Sequence, residues 1–184
     1  HPHRSIPWAL LFVTVIVAAV AARAFQGAIF TTNSTGTTVN GNLYANASDV
    51  YLGGGPQHGS PHGLPDGEYY FQVTDPSGAR LLSTHLLECR KLTLDNDVIV
   101  GATGTCPHAN GTTNPANGHT PVQLIPFNPT PNPGGEYKVW LTPVDDYDAT
   151  KTCAGAFGFC NNDSKTVNFK VLAGTLAFVT VCKF

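Results

Sequence analysis

Methionine is absent from the 184 residues, and charge is scarce: Asp, Glu, Lys and Arg together make up 12% of the chain. About a quarter is usual for a soluble domain. The basic residues are scattered and the formal net charge is -2, so no polybasic stripe tracks a phosphate backbone and nucleic acid is not an expected partner. Glutamate occurs only at Glu68, Glu88 and Glu136, in no setting that suggests the paired carboxylates of glycoside hydrolysis. No Gly-x-Ser-x-Gly is present, and Ser60 and Ser83 have no ordered partner in the sequence. Gly53-Gly-Gly55 runs into Pro56 instead of Gly-Lys-Ser/Thr, which excludes a phosphate loop. No Cys-x-x-Cys occurs, so zinc knuckles and thioredoxin-like chemistry get no support. The expectation is a non-enzymatic chain without cofactor or metal.

What the chain does have is 19 Gly, 14 Pro and 42% hydrophobic residues. That is enough apolar material for a core, punctuated by turn formers. The first 24 residues stand apart. Arg4 precedes the apolar run Ile6–Ala22, and Ala22-Arg-Ala24 comes after it. A basic start, an apolar centre and a small-x-small exit describe a secretory signal peptide cleaved before Phe25. The alternative is a retained apolar helix, and only then would a membrane be a partner.

Beyond residue 25, short apolar runs recur between turn signals, the pattern of an all-β domain. Strands are predicted at Gly27–Thr31, Asp49–Leu52, Glu68–Thr74, Arg80–Ser83, Lys91–Leu94, Val98–Gly101, Val122–Ile125, Glu136–Pro143, Thr166–Leu172 and Thr175–Val181, with one helical turn near Asp146–Thr150. Alternation in Glu68–Thr74 turns Tyr69, Phe71 and Val73 inward and Tyr70 outward. In Glu136–Thr142 it turns Tyr137, Val139 and Leu141 inward and Trp140 outward. The fold class expected is a β-sandwich over residues 25–184, with two subdomains at 27–115 and 116–184 as the alternative division.

Pro65-Asp-Gly-Glu-Tyr69 and Pro133-Gly-Gly-Glu-Tyr137 form a short internal repeat, with Thr74 falling on Thr142. The Tyr of each copy suits a buried ring whose hydroxyl is tied back to a loop. Pro-x-Gly-Glu-Tyr followed by alternating apolar residues, then Thr74-Asp-Pro-Ser-Gly-Ala79, resembles the immunoglobulin-like and prealbumin-like modules of secreted surface proteins. Among them, the B-type repeat domains of bacterial surface adhesins are the nearest kind. The resemblance covers a short stretch at each copy. It implies a Greek-key sandwich acting as an extracellular structural or adhesive building block. The function expected is a structural or adhesive surface component, or a self-assembling fibre subunit, with copies of itself or other surface components as partners. It also implies, in some relatives, a Lys–Asn isopeptide bond with an acidic helper, for which Lys91, Lys170, Asn168 and Glu136 are nominal positions.

The five cysteines fit an exported chain with one left over. Cys153–Cys160 closes a short glycine-rich loop, Cys89–Cys106 staples two strands, and Cys182 stays unpaired or bridges to another chain. Asn33, Asn46, Asn110 and Asn162 each head an Asn-x-Ser/Thr triplet in or beside a predicted loop, so glycans are candidate decorations. His58, His62, His85, His108 and His119 read as loop residues more readily than as metal ligands. Asp145-Asp-Tyr-Asp148, and Asp95 with Asp97, lack the spacing of a calcium loop. Outward-facing Trp140 and Tyr70 are binding or interface candidates, which leaves a secreted carbohydrate- or ligand-binding module as the alternative function.

Overall fold

The computed structural model describes residues 27–56, 62–106, 108–151, 153 and 157–172. The expected signal peptide or helix at 1–24, the strand Thr175–Val181, Cys182, His58 and Ser60 lie outside the described residues. Nine strands build the fold: β1 (Ala28–Thr32), β2 (Leu43–Tyr44), β3 (Tyr51–Gly55), β4 (Gly67–Thr74), β5 (Lys91–Asp95), β6 (Val98–Ala102), β7 (Val122–Gln123), β8 (Glu136–Pro143) and β9 (Lys165–Val171). They form a three-stranded sheet, β1-β3-β7, and a six-stranded sheet, β2-β9-β8-β4-β5-β6. All pairs are antiparallel except β2 with β9. Strands from 27–115 and from 116–184 both contribute to each sheet.

The two repeat strands are neighbours at the centre of the larger sheet. Tyr69 lies opposite Pro143 and Thr74 opposite Lys138, so the copies run past each other head to tail. The predicted alternation holds in both. Tyr69, Phe71 and Val73 on β4 and Tyr137, Val139 and Leu141 on β8 face the main core, with Ile29, Leu52 and Val122 from the other sheet. Both tyrosine hydroxyls are tied to loops: Tyr69 donates to Pro65 O at 2.7 Å, and Thr130 N–H donates to the Tyr137 hydroxyl at 3.1 Å.

Several expectations needed correction. Strand β3 runs on through Gly53–Gly55 instead of ending at Leu52. A side chain at Gly54 would press within 3.1 Å of Ile99 on the opposing sheet, so the glycines set how closely the sheets approach. Arg80–Ser83 is not a strand; it makes two isolated bridges, Thr74–Leu81 and Ser83–Phe127. The helical turn is a 3₁₀ turn at Val144–Asp146. β2 was not foreseen, since two residues carry no periodicity.

The strand register defines two ends. At the first end lie the starts of β1, β4 and β9 and the ends of β3 and β8, because Ala28 pairs with Gly55, Tyr69 with Pro143 and Leu141 with Lys165. The β5–β6 turn joins them there through Asp97 N–H, which donates to Asp66 Oδ1 at 3.1 Å. At the second end lie the ends of β1, β4 and β9, where Thr32 pairs with Tyr51 and Glu136 with Lys170.

The sheet margins are stitched together. Gly41 N–H donates to Thr31 O (3.0 Å) and Lys170 N–H to Asn42 O (2.8 Å), which joins β1 to β9 through the start of β2. On the opposite side Thr120 N–H donates to Ile99 O (2.7 Å), and Ala102 N–H donates to Asn110 Oδ1 (2.9 Å).

Candidate functional site

Trp140 and Tyr70 do point away from the main core, as alternation requires, yet the structure buries both: Trp140 is 2% exposed and Tyr70 7%. Neither ring is open to a ligand on this face. The segment after β8 folds back over this face and supplies Val144, Tyr147 and Phe159, which pack with Leu87 against the two rings. The indole N–H donates to Thr74 Oγ1 at 2.9 Å. Tyr70 donates to Glu88 Oε1 at 2.6 Å; that bond, with burial, pushes its hydroxyl up to about 12. Lys138 lies 5.3 Å from the indole centroid, a favourable cation–ring arrangement. Gly78 has φ +80° in the turn after β4, and a Cβ there would come within 2.9 Å of the indole. Glycine is therefore required twice over, by backbone conformation and by contact with the ring.

Cys89 is joined to Cys106 and Cys153 to Cys160, with Cα–Cα separations of 4.5 and 5.2 Å, within the usual disulfide range. The first ties the 3₁₀ turn before β5 to the segment after β6. The second clasps the segment carrying Phe159. Paired cysteines fit an oxidising environment, and among the described residues no helix is long and apolar enough to cross a membrane.

Two polar clusters remain. At the first end a cleft of about 450 Å³ is bordered by Asp66, Glu68, Tyr69, Asp145 and Asp146. Its field favours cations, although Glu68 already pairs with Lys91 at 3.3 Å. Burial, then Asp146 and Asp66, push the Tyr69 hydroxyl up to about 12, which keeps it a neutral donor.

The second cluster joins residues far apart in sequence. His85 Nδ1 lies 3.2 Å from His108 Nε2, and His108 Nδ1 lies 2.9 Å from Gln123 O. Arg90 is 5% exposed; it donates to His85 O at 3.1 Å and to Phe71 O at 2.9 Å. Burial pushes the guanidinium down to about 10. Burial also holds His108 below its ordinary range, and the nearby His85 and Arg90 act in the same direction. These side chains are arranged to hold backbone carbonyls. Among the described residues no group of three or more His, Cys, Asp or Glu converges as a metal site.

Asn33, Asn46, Asn110 and Asn162 all lie between strands. Asn46, Asn110 and Asn162 are exposed, although the Asn46 amide donates to Asp49 Oδ2 at 2.9 Å and Asn110 Oδ1 accepts from Ala102 N–H. Asn33 instead accepts Thr35 and Thr37 hydrogen bonds within its own turn. Of the isopeptide positions, Lys170 pairs with Glu136 at 3.0 Å, both roughly half exposed, and Lys138, not Lys91 or Lys170, stands directly across from Asn168. The His pair and the covering role of Phe159 were missed by sequence reasoning; neither leaves a local motif. The chain matches no known protein family, no curated protein and no solved structure.

Proposed function

We propose that the chain is an exported, disulfide-clasped module of immunoglobulin-like type that serves as a structural or adhesive component at a cell surface. The observation that carries this reading is that the aromatic side chains on both faces of the central strand pair are consumed in packing the chain against itself. The result is a rigid block with loops at its two ends.

The strand order supports the immunoglobulin-like assignment. Taking β1, β3 and β7 as A, B and E, the larger sheet reads A′-G-F-C-C′-C″, with A′ parallel to G; this order is consistent with a variable-type Greek key in which the smaller sheet has no D strand among the described residues. Tyr137 near the start of the F-like strand is held by an upstream backbone N–H, as in a tyrosine corner. The paired cysteines support export, together with the basic-apolar-small pattern of residues 1–24. The alternative, a carbohydrate-binding module, would place coplanar rings in solvent, whereas Trp140 and Tyr70 are covered.

The test is localisation of the chain in its own cells. Antibody to the chain should label intact, unpermeabilised cells. Non-reducing intact mass of recovered protein should correspond to a start at Phe25 with two disulfides. Labelling only after permeabilisation, or recovery with reduced cysteines, would overturn the reading. Saturable binding to a glycan array, lost in a surface-loop variant that still folds, would favour the alternative.

A further inference from the structure

We propose that Asn117 is a self-modifying site: in the folded chain its side chain cyclises onto the Gly118 nitrogen and reopens as aspartate or isoaspartate, while the fold holds back the two other Asn-Gly pairs.

The three pairs are Asn40-Gly41, Asn110-Gly111 and Asn117-Gly118. Glycine leaves the backbone nitrogen that follows the asparagine unhindered by a side chain, and this is the nitrogen that attacks. It gives up its proton and bonds to the asparagine Cγ. The Cγ–Nδ2 bond breaks, and the side-chain nitrogen takes up a proton and leaves as ammonia. Water then opens the five-membered ring. Addition at the side-chain carbonyl gives aspartate; addition at the main-chain carbonyl gives isoaspartate, with the backbone rerouted through the side chain. One water is consumed, one ammonia is released and one negative charge is gained, with no oxidant or reductant.

Two of the pairs are pinned into the sheet margins. Gly41 N–H donates to Thr31 O at 3.0 Å, and a Cβ on Gly41 would come within 2.6 Å of the Tyr44 hydroxyl. Gly111 N–H donates to Pro121 O at 2.7 Å, and Asn110 Oδ1 accepts Ala102 N–H at 2.9 Å. Attack at either pair must first release a bond that holds a margin together.

Asn117 is placed differently. It is exposed, in a surface turn closed on itself by Asn114 N–H to His119 O and Gly118 N–H to Asn114 O, both 2.8 Å. Gly118 has φ +75°, with nothing within 4 Å of where a Cβ would stand. The bond on the attacking nitrogen therefore belongs to the turn alone and opens locally without disturbing the sheets. The carbonyl under attack is also already polarised. Asn117 Oδ1 accepts His119 N–H at 3.1 Å, and negative charge develops on that oxygen as the nitrogen adds, so the donor favours the step. His119 is itself held in place: it is 6% exposed, its ring lies 5.8 Å from Phe30, and the next residue, Thr120, donates its N–H to Ile99 O at 2.7 Å.

The test is to age the full chain in mildly alkaline buffer, folded and in urea, with its disulfides intact. Peptides spanning each pair are then scored by the mass gain of the amide-to-acid change and by isoaspartyl methyl transfer. In the folded chain Asn117 is expected to convert about fivefold or more faster than Asn40 or Asn110, since each of those must first give up a margin hydrogen bond. In urea the three rates should converge. Asn117→Gln should abolish the first acidic species that ion exchange resolves from the aged folded protein. The proposal is overturned by a folded chain in which Asn40 or Asn110 keeps pace with Asn117, or in which Asn117 stays intact while the unfolded chain converts. A preference for Asn117 that persists undiminished in urea also overturns it, because the preference would then belong to the local sequence and not to the fold. Persistence of the acidic species in Asn117→Gln would do the same. None of these outcomes bears on the surface-module reading.

Discussion

Replacing Trp140 separates a covered structural ring from a ligand platform. The side chain is 2% exposed, packs with Tyr70 and Phe159, and donates its indole N–H to Thr74 Oγ1 at 2.9 Å. Truncating a buried aromatic to alanine costs about 3–5 kcal/mol, a large share of the about 5–15 kcal/mol that holds a domain folded. Trp140→Phe is the finer probe. It keeps a ring under the cover and removes the donor. Thr74 Oγ1 still donates to Asp75 O at 2.8 Å, so no polar atom is stranded, and the loss should be about 1–2 kcal/mol. Gly78→Ala approaches the same contact from the other side. The left-handed backbone adds about 1 kcal/mol of strain, and displacement of the indole adds to it. Guanidinium unfolding followed by far-ultraviolet circular dichroism gives all three values without relying on tryptophan emission. A Trp140→Ala chain within about 1 kcal/mol of the unaltered protein would refute the reasoning, because only a ring lying free on the surface is so dispensable.

The same packing sets three further outcomes. Opening the 17-residue Cys89–Cys106 loop as a double Ala variant should cost about 3 kcal/mol, and opening the 7-residue Cys153–Cys160 loop about 2 kcal/mol; the reverse order in denaturant midpoints would count against loop entropy as the cause. Burial holds His108 and His119 below the ordinary histidine value of 6.5. The unfolded chain therefore takes up protons first, and stability should be level above pH 6.5 and decline as pH falls below it. A urea midpoint that does not move between pH 7.5 and pH 5, or a decline that survives His108→Gln with His119→Gln, would contradict this. Tyr137→Phe and Tyr69→Phe each remove one loop tether and should lower stability by about 1 kcal/mol, read as a shift in the urea midpoint.

Period-two alternation was legible wherever a strand was long enough to show it. Glu136–Pro143 is a strand over those same residues, and the inward set Tyr69, Phe71, Val73 was readable because one sheet face is wholly apolar. What alternation did not convey was the second cover. Gln72, Thr74 and Thr142 are polar and buried on the outer face, so polarity did not mark that face as solvent-facing. Phe159 sits among glycine and cysteine in a segment without periodicity, yet it is 0% exposed. Similarly β2 exists because β9 is there to pair with it, a parallel contact with no local trace. Gly53–Gly55 looked like loop because glycine usually breaks strands; here Ile99 and Phe30 occupy the space that side chains would fill. His85 and His108 meet across 23 positions, beyond the reach of spacing arguments.

The stitched margins matter most when many copies stand side by side. A row of unpaired backbone groups on a sheet edge is a template onto which a neighbouring molecule adds its own strand. In this fold the margin at β1 and β2 is occupied by Thr31, Gly41, Asn42 and Lys170, and the margin at β6 and β7 by Ile99, Ala102, Asn110 and Thr120. A neighbouring strand would have to displace these bonds before it could pair there, so these stretches of the two margins are poor templates for strand addition.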